Sequence, residues 1–255
     1  MLQFAHYFLS RVTVYRKSFC IVAVVGLFLS LPTVLFAGRM EVDSNFDGKV
    51  DQWHHVADSG EVLKVEYDLN FNGAIDQVQF FKSDKILDRI EFDTDHDGTF
   101  EQIQYYSGKN KVDRIEKDSN GDGKVDWKEF FNAAGKLIRG EIDDNHNGKV
   151  NIWKFYDEQG VLEKTKYDSN HDGKVDRWDQ LRQEKVVEAA FDTNGDQKPD
   201  QWQFFNASGN LKRVAYDTNH DDKADFWEFL DKDGKVARVE QDRNFDGKPD
   251  LTQKP

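Results

Sequence analysis

Residues 168–178 read DSNHDGKVDRW, and the same phrase returns with small changes along most of the chain. It is DSNFDGKVDQW at 43–53, DSNGDGKVDW at 118–127 and DTNGDQKPDQW at 192–202. Counting the leading Asp as position 1, the phrase starts at Asp43, Asp68, Asp93, Asp118, Asp143, Asp168, Asp192, Asp217 and Asp242. Each step is 25 residues, except one of 24 between Asp168 and Asp192. A period held that closely means one supersecondary unit per repeat. Eight units and a ninth start fill residues 41–252 with no Pro/Gly/Ser linker, which predicts one continuous array.

Each unit divides into three parts. Positions 1–9 are polar and contain Gly, as a loop would. Positions 10–14 are short and aromatic, as in Gln201-Trp202-Gln203-Phe204-Phe205, with Trp and Phe alternating toward one face of a strand. A turn follows, with Gly at position 18 in Gly60, Gly135, Gly160, Gly209 and Gly234. A second strand carries apolar residues near positions 20, 23 and 25, as in Leu211, Val214 and Tyr216. The unit is a β-hairpin preceded by an acidic loop, and no segment shows a sustained helical stripe. A lone hairpin is marginal in water, so the hairpins must share an apolar face. The expected fold is all-β: about eight hairpin repeats in a solenoid or superhelical sheet, with a small β-propeller as the alternative.

The acidic loop is where chemistry concentrates. Position 1 is Asp in all nine loops. Position 3 is Asn45, Asn70, Asn120, Asn145, Asn170, Asn194, Asn219 and Asn244, with Asp95 as the exception. Position 5 is Asp47, Asp97, Asp122, Asp172, Asp196, Asp221 and Asp246, with Asn72 and Asn147 departing. Position 9 is Asp51, Asp76, Asp126, Asp176, Asp200, Asp225 and Asp250, with Glu101 and Asn151 departing. Position 6 is Gly except at Gln197 and Asp222. Oxygen ligands at 1, 3, 5 and 9 around a tight Gly turn suit a hard cation, since calcium takes roughly six to eight oxygens at about 2.3–2.6 Å. The carbonyl of position 7 completes the wrap, so Lys49, Lys124, Lys174, Lys198, Lys248 and Thr99 serve through the backbone. Positions 1, 3, 5 and 9 hold 25 of the 48 acidic side chains, and without cations they repel one another. Up to nine calcium ions are therefore expected, with binding coupled to folding. The competing reading is an acidic turn without metal.

These loops resemble the D-x-[DN]-x-[DN]-G calcium loop of EF-hand proteins. Asp118, Asn120, Asp122, Lys124, Asp126 and Glu129 match the full pattern, including its acid at position 12, and Asp217 to Glu228 also ends in Glu. Five other units carry His54, Gln79, Gln104, Lys154 or Gln203 at position 12, which departs from the EF-hand. Those units are more similar to the nine-residue D-x-D-x-D-G-x-x-D loops of integrin-type propellers and other extracellular repeats. The hairpin phrase at 155–162 is similar to YD-type repeats of bacterial surface proteins. The weakest loops are Asp143–Asn151, Asp68–Asp76, the two without Gly at position 6, and Asp242–Asp250, which lacks a following hairpin.

Charge and termini narrow the function. There are 48 acidic against 35 basic side chains and a formal net charge of -13, which argues against nucleic acid as a partner. Aromatics at 13% argue against a wholly disordered acidic chain. Cys20 is the single cysteine, so intramolecular disulfides are excluded. Arg11, Arg16 and Lys17 precede an apolar run from Phe19 to Phe36, the pattern of a signal peptide over residues 1–37 with a cut after Ala37. An uncleaved membrane anchor is the alternative, and would be the only membrane contact. Residues 38–255 then form the repeat domain, exported to the periplasm, the cell surface or the medium.

Other features read plainly. Five of the six Trp residues fall at position 11 and Trp127 at position 10, as core residues would; exposed in a row they could stack on sugars. His96, His146, His171 and His220 occupy position 4, a solvated loop tip pointing away from the ion. No Ser-His-Asp order, H-E-x-x-H or phosphate loop is present, so no enzyme activity is expected. The sequence predicts an exported calcium-stabilised scaffold for adhesion, envelope assembly or binding of a protein or glycan partner. A calcium sensor or buffer, and a carbohydrate-binding accessory module, are the alternatives.

Overall fold

The computed structural model describes residues 38–83, 85–108 and 110–254. The expected export segment, residues 1–37, lies outside them. Eighteen strands follow in order: β1 (Gly38–Val42), β2 (Gln52–Val56), β3 (Val62–Tyr67), β4 (Gln77–Ser83), β5 (Ile86–Phe92), β6 (Gln102–Ser107), β7 (Lys111–Lys117), β8 (Trp127–Phe131) and β9 (Leu137–Ile142). The second half continues with β10 (Ile152–Tyr156), β11 (Leu162–Tyr167), β12 (Arg177–Arg182), β13 (Lys185–Phe191), β14 (Gln201–Phe205), β15 (Leu211–Tyr216), β16 (Phe226–Leu230), β17 (Val236–Gln241) and β18 (Leu251–Gln253). Every strand pairs antiparallel with the strands before and after it, from β1–β2 through β17–β18. The result is one open meander. A propeller would break this pairing between blades, and it is not broken. Each strand contacts only its chain neighbours, so the described sheet has a single layer.

Repeat position fixes place in the sheet. Strands at positions 10–14 alternate with the second strands of the hairpins, so all nine acidic loops fall on one edge and all hairpin turns on the other. In every hairpin the register shifts after position 13, as between His55 and Val56 and between Phe204 and Phe205. Position 13 pairs with 22 but position 14 pairs with 20, leaving residue 21 as a bulge; Leu63 there is 52% exposed. This bulge is why positions 20, 23 and 25 share a face despite their uneven spacing. The single 24-residue repeat is shortened at its turn. Gln183 and Glu184, at φ of 52° and 60°, form a two-residue connection between the paired Arg182 and Lys185.

One face carries a ladder of cations over rings. Arg89, Arg114, Arg139, Arg213 and Arg238 stand 3.7–4.2 Å above Phe80, Tyr105, Phe130, Phe204 and Phe229. Four of them also pair with the acid two residues on, Glu91, Glu116, Glu141 and Glu240. Such stacks contribute roughly 0.5–2 kcal/mol each and bury the arginine stems on an otherwise open face. The other face holds Val65, Ile90, Ala189 and Val214, all buried in one row, at position 23 or, in the 24-residue unit, position 22. Gly140 occupies that row in the fourth unit.

Two glycine substitutions should therefore act in opposite directions. A Cβ on Gly140 meets only Lys154 Cβ at 3.6 Å and a backbone oxygen at 3.9 Å, so Gly140→Ala should stabilise by about 0.5–1 kcal/mol. Gly160 sits at φ of +82° in its turn, and Gly160→Ala should destabilise by about 1 kcal/mol. Thermal melts of the two variants beside the parent check both signs.

Candidate metal centre

Each acidic loop is wound by its own oxygens. In the first loop Asp43 Oδ1 accepts the Asp47 amide at 3.2 Å, and its Oδ2 accepts the Gly48 amide at 2.7 Å. Asn45 Oδ1 accepts the Asp47 amide at 2.9 Å, and Asp47 Oδ1 accepts the Lys49 amide at 2.8 Å. The position 9 acid closes the loop: Asp51 Oδ2 accepts both the Ser44 amide and the Ser44 hydroxyl. The bond from the position 6 amide to the position 1 Oδ2 recurs at Asp68, Asp93, Asp118, Asp143, Asp168, Asp192, Asp217 and Asp242. At Asp118 burial opposes ionisation, but amide bonds from Gly123, Gly121, Asp122 and Asn120 outweigh it and lower the carboxyl pKa. The Lys198 side chain points out of its own loop, its ammonium reaching Asp222 of the next loop at 2.7 Å while its amide donates to Asp196.

Burial separates the ligand positions. Of fourteen buried polar side chains among the described residues, twelve sit at loop positions 1 or 9, each 2–6% exposed; positions 3 and 5 face solvent. The cause is register. The amide at position 1 of each loop donates to the carbonyl at position 9 of the loop before, as Asp68 does to Asp51 and Asp93 to Asp76. Carboxylates thus stand side by side in a row along the loop edge, between strands that exclude water. Most find donors. Asp51 Oδ1 and Asp242 Oδ1 are buried without any.

The third loop gathers the most charge. Asp93, Asp95, Asp97 and Glu101 each place a carboxylate oxygen within 4.8 Å of the others. Two oxygens bound to one calcium ion lie no more than about 5 Å apart, so the cluster has the dimensions of a calcium shell. Thr99 Oγ1 is 2.6 Å from both Asp97 Oδ1 and Glu101 Oε1, with one proton to give. Bonds from the Thr99 hydroxyl and amide hold Asp97 below the ordinary carboxylate value.

Elsewhere the sets are looser. Asn151 is engaged with Asp144, its Oδ1 on the amide and its Nδ2 on the carboxylate, in the loop where sequence expected weakness. Asp250 lies exposed at the last loop, held by amides of Arg243 and Asn244. Glu129 and Glu228 are the third and third residues of β8 and β16, not members of a helix. Glu129 accepts from Trp127 Nε1 and Glu228 from the Tyr216 hydroxyl.

Two features escaped the sequence reading. Position 4 adopts positive φ in all nine loops, from Phe46 at 62° to Phe245 at 60°, as does position 6. This bend turns His96 and His146 back onto the preceding loop, where Nδ1 meets Asp76 Oδ1 at 2.6 Å and Asp126 Oδ2 at 3.1 Å. His220 Nδ1 likewise lies 3.1 Å from Asn194 Nδ2 of the loop before, so these three tips are solvent-exposed as expected and also bridge loops. Position 2 is Ser or Thr in six loops, and its hydroxyl bonds the position 9 acid; that recurrence was visible in the sequence.

No family model matches the chain, and no curated protein matches it. Solved structures similar to it include a Photorhabdus luminescens Tc holotoxin pore, at 12% identity and a TM-score of 0.24 over 78% of this chain and 12% of that one. A porin-like protein from Bacteroides uniformis is similar at 11% identity and a TM-score of 0.23, over 84% and 92% of the two chains. The chain spans about an eighth of the toxin chain. Likeness at these scores carries no argument about function.

Positive φ at position 6 generates a test. Gln197 and Asp222 adopt φ of 72° and 70° where seven loops have Gly. Gln197→Gly and Asp222→Gly should each stabilise the fold by about 1 kcal/mol, read by denaturant unfolding at fixed calcium.

Proposed function

We propose that the chain is an exported repeat scaffold whose loops bind calcium and are ordered by it. The observation that supports this most is the row of buried position 1 and position 9 carboxylates, with Asp51 Oδ1 and Asp242 Oδ1 lacking any donor. A buried carboxylate oxygen without a partner costs several kcal/mol, and a cation removes that cost. The four-acid third loop supports the same reading with a shell of suitable size. Hard oxygen donors select calcium or magnesium over softer metals, and a flexible nine-residue loop favours calcium. Nine divalent ions would carry +18 against the formal -13.

The role of the ion is structural in this reading. Extracellular calcium modules bind at about 10⁻⁴–10⁻³ M, which suits a chain delivered outside the cytoplasm, as residues 1–37 suggest. Calcium joins the loop that connects one hairpin to the next, so it sets how successive hairpins meet. The open sheet then presents two long faces to a partner.

Two measurements test the proposal. In chelator the thermal midpoint should fall by more than about 10 °C, with recovery in millimolar calcium and little in millimolar magnesium. An unchanged melt overturns it. Asp95→Asn with Asp97→Asn should remove one ion from the calcium stoichiometry measured by calorimetry, and leave the remaining sites titrating as before.

A further inference from the structure

Five of the six indoles stand in one register row, Trp127 being one residue out of it. Across β10 to β16 the cross-strand partners run Trp153, Lys166, Trp178, Ala190, Trp202, Ala215, Trp227. Directly opposed residues in an antiparallel sheet share a face, so these side chains all stand on the same one. With strands about 4.8 Å apart, successive indoles lie about 9.6 Å apart. In the first half of the sheet the same row alternates with the carboxylates Glu66, Glu91, Glu116 and Glu141. Between Trp178 and Trp227 those places hold Ala190 and Ala215.

These alanines are 6% and 2% exposed. A methyl group cannot cover itself, and the strands carry no second layer. The cover comes from the same face, where each alanine has an indole on either side. The three indoles themselves remain partly accessible. A core row would have been sealed by an opposing layer. This one is a neutral aromatic strip on an open face.

We propose that Trp178, Trp202 and Trp227 form a binding platform for a β-1,4-linked pyranose chain. In its twofold ribbon form such a chain shows the same sugar face at every second residue, over a distance close to two strand spacings. That face carries axial C–H groups, which pack on the electron-rich face of an indole. Gln180, Glu188 and Arg213 lie in the adjoining row of the same face and offer partners for ring hydroxyls. No charge separates the three indoles, which suits an uncharged glycan better than a polyanion. Adjacent strands of a sheet rotate by about 20–25°, so the strip follows a twisted line. A single solvated chain can follow that line; a flat crystalline surface cannot. The platform shares no residue with the calcium loops, so its failure and theirs are separable.

Calorimetric titration of the full chain in millimolar calcium tests this, with cellohexaose and chitohexaose beside maltohexaose and laminarihexaose. One or both β-1,4 hexamers should bind, more tightly than their dimers and than either comparator. Trp202→Ala should weaken binding roughly tenfold, whereas Trp53→Ala, far along the row, should not. Ala190→Glu and Ala215→Glu restore the acid that the repeat uses elsewhere in this row, so they should fold with an unchanged melt and lose binding at least tenfold. Equal binding by all four hexamers, no binding by either β-1,4 hexamer, or full affinity in a folded Ala215→Glu variant overturns the proposal.

Discussion

One hydrogen bond, repeated at each junction, organises the molecule. The amide at position 1 of a loop donates to the carbonyl at position 9 of the loop before, at 2.8–2.9 Å from Asp68–Asp51 to Asp242–Asp225. It carries the sheet ladder one step beyond the strands and into the loops. It also brings the side chains of two acids together where strands shield them. Like charges side by side across a ladder are unfavourable, and burial makes them more so. The loops answer with position 6 amides donated to the position 1 carboxylates and position 2 hydroxyls donated to position 9, and in the third loop with a cage of four carboxylates. Sheet registry thus creates an electrostatic demand that cations are suited to meet.

Much of this was legible in the residues. The 25-residue period gave the hairpins, and Gln201–Phe205 is strand over the span expected from its alternating rings. Gly60, Gly135, Gly160, Gly209 and Gly234 all take positive φ in turns, as their position 18 implied. The sheet is open, a point on which periodicity is silent, because closure depends on accumulated twist and not on any one unit. Two strands went unseen. β1 and β18 are half-repeats at the ends, and a half-repeat has no period to betray it. The bend at position 4 was hidden for another reason: Phe, His and Gly all occupy it, so no residue type marks the left-handed conformation there.

The tryptophans show how a correct pattern can be read toward the wrong environment. Their period matches the repeat, as a core row would. Period reports only that the residues share a face. Whether that face is covered depends on a second layer, and here each strand touches only its chain neighbours. Stability must then come from within the layer. Arginines lie flat on the rings of position 13 and are held by glutamates two residues on, giving a half-covered face without an opposing sheet. Where the glutamates give way to the buried Ala190 and Ala215, the cross-strand partner on either side is an indole.

A single-layer array also limits how far any defect reaches. Each hairpin contacts only the units beside it, so stability is close to a sum of unit and nearest-neighbour terms. A loop that has lost ligands weakens its own junction and the next, not the whole. This accounts for the tolerance of Asn147 and Asn151 in the middle of the array, where Asn151 is satisfied by Asp144 instead. Contacts between loops are equally local: His96 and His146 reach only the loop before their own, at Asp76 and Asp126. The same locality lets single loops drift in sequence while the row they belong to persists.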